Sequence, residues 1–221
     1  MRRSRPRRWL SRAAATVTWA AALAATQALA ATQAPAGRAL YASCAACHGN
    51  QGEGRAAVNA PAIAGLQSWY VERQLGNFAN GIRGAAAGDA EGTAMRAAAG
   101  VLTTDGERAA VAAYVAGLAR PRTASRTAAS PASQTNGRNY FNALCSTCHG
   151  ADARGNQALG APRLAGAAPE YLARQLAAFK SGRRGAHPQD KLGAQMRAIA
   201  AMLPDNATEH DVIDYGAGLP P

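Results

Sequence analysis

Apolar residues recur at helical spacing in two stretches: Tyr70, Leu75 and Phe78 within SWYVERQLGNFANG, and Tyr171, Leu176 and Phe179 within PEYLARQLAAFKSG. Each stretch stops at a glycine suited to a C-terminal cap, so a helix is predicted over each. GRALYASCAACHG and GRNYFNALCSTCHG read as first helices ending in a cysteine-rich string. TDGERAAVAAYVAGL opens a last helix with Thr104 three residues before Glu107, the spacing of a capping box. Its counterpart NATEHDVIDYGAGL is expected to use Asn206 and Glu209 in the same way. The Gly-rich stretches that carry Met95 and Met196 are expected to be loops. No alternating strand pattern of useful length occurs, which makes the expected class all-α.

The chain repeats itself. Cys44 and Cys145, Met95 and Met196, and Tyr114 and Tyr215 are each 101 residues apart. At that offset APAIAGLQSWYVERQLGNFANGIRGA lies over APRLAGAAPEYLARQLAAFKSGRRGA, matching Pro61 with Pro162, Gln74 with Gln175 and Arg83 with Arg184. Two tandem domains are therefore expected, 37–118 and 137–221. They are joined by ARPRTASRTAASPASQTN, 119–136, which has no apolar periodicity and reads as a linker. Residues 1–30 combine an arginine-rich start, a short Ala-rich apolar run and an A-x-A-like site, the pattern of a cleaved export signal. The apolar run is shorter than the ~20 residues a bilayer needs, so a periplasmic location is expected rather than a membrane anchor.

Charge must be read after that leader is set aside. The formal charge is +11, but six arginines and no acidic residue precede residue 31, so the remainder carries +5. The basic isoelectric point is then largely a property of the leader, and nucleic acid is not expected as a partner. Each domain has roughly 85 residues, an alanine-rich composition and a share of only three phenylalanines. Cores of that kind are poor at ~25 cal/mol per Å² of buried apolar area and need a staple or a cofactor.

All four cysteines sit in C-x-x-C-H strings, Cys44–Cys47–His48 and Cys145–Cys148–His149. Two sulfurs separated by two residues reach one porphyrin edge as thioethers, and the following histidine becomes the proximal iron ligand. Two covalently attached haem c groups are expected. A thioredoxin-like pair would need a βαβ context. A zinc site shared by four cysteines would need closer pairs and gives no reason for the histidines, and a disulfide across two residues of helix is strained.

In the first domain after the leader, His48 is the only histidine, Met95 the only methionine, and lysine is absent. The sixth ligand is Met95, or the position is open. In the second domain Met196, Met202, His187, His210, Lys180 and Lys191 are candidates, and Met196 alone falls at the position of Met95. Met202 reads as core filler, and His187 and His210 as solvated. A methionine thioether favours Fe(II), and filling both axial positions leaves outer-sphere electron transfer as the expected chemistry.

The two C-x-x-C-H strings, each followed by AP-x-(I/L)-AG, Y-x-x-x-Q-L-x-x-F-x-x-G-x-R and a late methionine, resemble the cytochrome c4 family of periplasmic di-haem class I c-type cytochromes. The resemblance covers about 37–219. It implies two small helical domains about a pseudo-twofold axis, with the haems near their interface. It also implies that the Pro61 and Pro162 carbonyls accept from the ring N–H of His48 and His149, and that Arg83 and Arg184 lie near haem propionates or in solvent. Electrons would pass from a quinol-oxidising complex toward a terminal oxidase or other acceptor. A haem-bearing electron-acceptor subunit of a periplasmic dehydrogenase is the alternative, and a di-haem peroxidase a third reading.

Overall fold

The computed structural model describes residues 36–121 and 130–220. The export-signal reading of 1–30 and the middle of the linker reading lie outside them. In the first domain a helix over 36–48 (α1) leads into the cysteine string, followed by α2 (Ser68–Ala79), α3 (Ala90–Ala99) and α4 (Asp105–Gly117). The second domain has α5 (Pro131–Tyr140), a five-residue π turn at Phe141–Cys145, α6 (Ser146–His149), α7 (Pro169–Lys180), α8 (Lys191–Ala200) and α9 (Asn206–Gly218). The last three helices of each domain coincide at the 101-residue offset, residue for residue. The described residues form no strand, and their isolated bridges, Arg55–Ala60 and Asn156–Ala161, repeat the same offset.

Within each domain the middle helix packs on the two that follow it, α2 on α3 and α4, and α7 on α8 and α9. The first helix crosses the last at a glycine. A Cβ on Gly37 would strike the Ala110 carbonyl oxygen, and one on Gly137 that of Asp211, so the backbones meet closer than any side chain allows. Tyr41, Leu75, Phe78, Leu102, Val111 and Val115 fill the first core, and Phe141, Ala165, Leu203 and Val212 belong to the second.

Several expectations change. Met95 and Met196 lie in helices, not loops. Asp89 and Asp190 accept from the Gly92 and Gly193 N–H groups at 3.0 and 2.9 Å, and these caps start α3 and α8. Both helices are short and one is alanine-rich, so their periodicity is faint. The capping box of α4 is present at Thr104 and Glu107. Its counterpart sits one residue earlier than expected, where Asp205 accepts from the Thr208 N–H at 2.7 Å, while Glu209 pairs with Lys180. Helix α5 opens at Pro131, inside the stretch read as linker, because Ser130 caps it and proline suits the first position. Its polar residues hide the helix by bonding sideways: the Ser133 hydroxyl and the Asn136 amide both donate to Asp211 on α9.

Candidate functional site

Each C-x-x-C-H string closes its helix at a glycine with positive φ, Gly49 at 82° and Gly150 at 80°, which turns the chain back over the histidine it has just placed. His48 and His149 are 5% and 4% exposed. Their Nδ1–H groups donate to the carbonyls of Pro61 at 2.8 Å and Pro162 at 2.7 Å. A carbonyl can only accept, so Nδ1 carries the proton and Nε2 presents a lone pair. Burial pushes both imidazoles below their ordinary pKa, with the proline bonds opposing it, and this keeps the rings neutral.

In the first domain, Met95 Sδ lies 3.4 Å from His48 Nε2. Helix α1 supplies the imidazole and α3 the thioether, and both Cys44 and Met95 pack against the first core. Two electron-pair donors face each other here without a hydrogen between them, an arrangement that calls for an electron-pair acceptor. In the second domain, Cys145, Cys148, His149 and Met196 line one cavity of about 230 Å³ together with Phe141, Leu176 and Phe179. A single soft nitrogen and sulfur ligand set, two cysteines at the edge and an apolar wall suit a haem attached by thioethers.

The four cysteines are free. Burial, the first cause, pushes the Cys145 thiol up to about 11 and raises Cys44 as well. Zinc needs thiolates, so these surroundings oppose it. Among the described residues no group of three or more His, Cys, Asp or Glu is placed to hold a metal ion. Of the rival ligands in the second domain, His210 is exposed, and His187 accepts from the Gln189 N–H at 3.2 Å. Met202, read as core filler, is instead 59% exposed, because the turn after α8 directs it outward.

Arg83 and Arg184 are half-buried and join the domains. The Gln74 side-chain oxygen accepts from Arg83 at 2.7 Å and Arg184 at 3.1 Å, and that of Gln175 from Arg83 at 2.6 Å and Arg184 at 2.7 Å. A second matched pair flanks this square, Arg73 donating to the Gly160 carbonyl at 2.8 Å and Arg174 to that of Asn59 at 3.1 Å. The sequence signal was present in glutamines identical at the repeat offset, but nothing in a single chain says that they meet. Arg120 and Arg163 beside the second cavity carried no repeat signal at all.

A family model described as cytochrome c matches the chain twice, over residues 34–119 and 134–215. The chain is 32% identical over 180 residues to cytochrome c4 of Azotobacter vinelandii, covering 77% of this chain and 81% of that one. It is 33% identical over 167 residues to a thiosulfate dehydrogenase electron acceptor of Stutzerimonas stutzeri, covering 72% of each. The crystal structure of reduced cytochrome c4 from Pseudomonas stutzeri superposes with a TM-score of 0.63 at 30% identity, over 84% of this chain and 98% of the other. Paired motifs, neutral buried imidazoles and these likenesses converge: the chain belongs to the cytochrome c family, as a two-domain, electron-carrying member of the cytochrome c4 kind with two covalently attached haem c groups.

Proposed function

We propose that Cys44 and Cys47 would anchor one haem and Cys145 and Cys148 the other, with His48 and Met95, and His149 and Met196, as the side chains that would hold the two irons. The Fe(II)/Fe(III) couple of each bound haem supplies storage for one electron. The residues do the rest. Pro61 and Pro162 fix the tautomer and orientation of the imidazoles, Met95 and Met196 close the opposite side, and the apolar cores exclude water. With both sides of each site taken by protein, no substrate gains a bonding position, and electrons pass between proteins without bonds being made. The observation that carries this reading is the neutral His48 ring, held by Pro61 on one nitrogen and faced by Met95 sulfur on the other.

The domains are proposed as 37–118 and 137–221, in a periplasmic protein freed of residues 1–30. Among the described residues no helix is long and apolar enough to cross a membrane. Redox proteins are the partners, and the route from a quinol-oxidising complex toward a terminal oxidase is the preferred one. The relative that serves as electron acceptor of thiosulfate dehydrogenase favours a second reading, in which this chain receives electrons from a periplasmic dehydrogenase. Mass measurement and haem staining of protein from its native compartment test the attachment: two haems and a missing leader are expected. Stopped-flow reduction by a thiosulfate-oxidising dehydrogenase, compared with reduction by a quinol-oxidising complex, separates the two routes.

A further inference from the structure

The cavity beside His149 carries charge that its own residues do not neutralise. Four guanidinium groups line it, Arg73, Arg120, Arg163 and Arg184, and among the described residues Asp190 is the one carboxylate that does. Asp190 is already engaged as the cap of α8. Three of the arginines are held by neutral oxygens. Arg73 donates to Gly160, Arg120 to the carbonyls of Ala165 at 3.1 Å and Gly65 at 2.8 Å, and Arg184 to Gln175, Gln74 and Tyr70.

Arg163 differs. Its backbone N–H donates to the Gln67 side chain at 3.0 Å, yet its side-chain Nε is buried with no hydrogen-bond partner among the described residues. Arg120 and Arg163 line the same cavity, and burial first, then the charge of Arg163, lower the pKa of Arg120. A buried donor of a charged group left unpaired is costly, and the planar fork of a guanidinium matches the two oxygens of a carboxylate.

We propose that Arg163, with Arg120, forms a carboxylate-binding corner of the second cavity whose ligand is a propionate of the haem held there. The inference rests on the placement of that haem at Cys145, Cys148, His149 and Met196. The first domain has no such corner from this position, since Ala62 stands where the second has Arg163. The two sites therefore differ by a half-buried guanidinium whose Nε is buried. A fixed positive charge beside the ring disfavours the ferric state, so it raises the potential of the haem it touches.

The test is a redox titration of the two-haem protein, followed by visible absorbance, for Arg163→Ala, Arg163→Gln and Arg163→Lys. Alanine and glutamine are expected to shift one potential downward and leave the other in place, while lysine retains most of the wild-type value. Arg120→Ala, which leaves Arg163 untouched, is expected to shift the same potential in the same direction. Unchanged potentials in the alanine and glutamine variants, with two haems still attached by mass, overturn the proposal. A wild-type potential that moves on addition of phosphate or chloride identifies a free anion and overturns the assigned ligand. Retention of both haem-attachment mass increments and both potentials in His149→Ala would instead refute the underlying haem placement.

Discussion

The Gln175 side-chain oxygen accepts a hydrogen bond from Arg83 of the other domain at 2.6 Å, while Arg184 of its own domain donates to the same atom at 2.7 Å. One neutral atom thus ties two cations that would otherwise repel across the interface. Gln175→Leu keeps the bulk and removes the acceptor. Because donors on charged groups are left unpaired, a loss of about 1–3 kcal/mol is expected. Urea unfolding measures it, and Gln74→Leu should cost a similar amount.

Met95→Ala and Met196→Ala should each lower one reduction potential of the pair and weaken the near-infrared sulfur-to-iron absorption. Potentiometric titration of both variants checks this, and the double variant should lower both potentials. A titration unchanged by Met95→Ala would remove Met95 from the axial position.

Much of this site was legible in the chain itself, because covalent haem attachment forces a rare string and a duplication writes it twice. His48 and His149 stand out as candidates by spacing, Met95 by elimination and Met196 by the repeat offset, while the bonds to the Pro61 and Pro162 carbonyls were implied by a family resemblance. The helices around Met95 and Met196 were not legible, since a ten-residue helix begun by an aspartate and filled with small residues shows little periodicity. Asp205 carries no capping-box signature, because the residue three positions on is Thr208 rather than Glu or Gln. The interface arginines stayed hidden for a different reason: their hydrogen bonds to neutral oxygens across the domains join residues 87 to 115 apart, beyond any local pattern.

Gly37→Ala and Gly137→Ala should each destabilise the chain by about 1–3 kcal/mol, since the new methyl must displace backbone at a helix crossing. Gly76 provides the contrast. It lies within α2, and a Cβ there meets nothing within 4 Å, so Gly76→Ala should stabilise by about 0.4–1 kcal/mol. Thermal unfolding of the three variants gives both signs.

Alkaline pH should act on the first domain through Tyr41. Its hydroxyl donates to the Gly49 carbonyl at 2.7 Å, and burial, the first cause, pushes its pKa from 10.0 up to about 12. A pKa raised in the folded state gives stabilisation that is fully present below pH 10 and is lost as pH rises through about 12. Tyr41→Phe should cost about 1 kcal/mol at neutral pH and flatten the decline over that range. Denaturant midpoints at matched pH values for wild type and variant check both statements.

The π turn at Phe141–Cys145 reconciles two separations that disagree: the crossing glycines Gly37 and Gly137 are 100 residues apart, while Cys44 and Cys145 are 101 apart. An additional residue in a regular helix would swing everything beyond it by about 100° and push it 1.5 Å onward. One widened turn swallows that surplus on the spot, so the docking glycine keeps its seat and the sulfurs keep their aim. The twin halves are thereby free to drift apart in length inside their most constrained helix, and the place where they did so is marked by a single loosened coil.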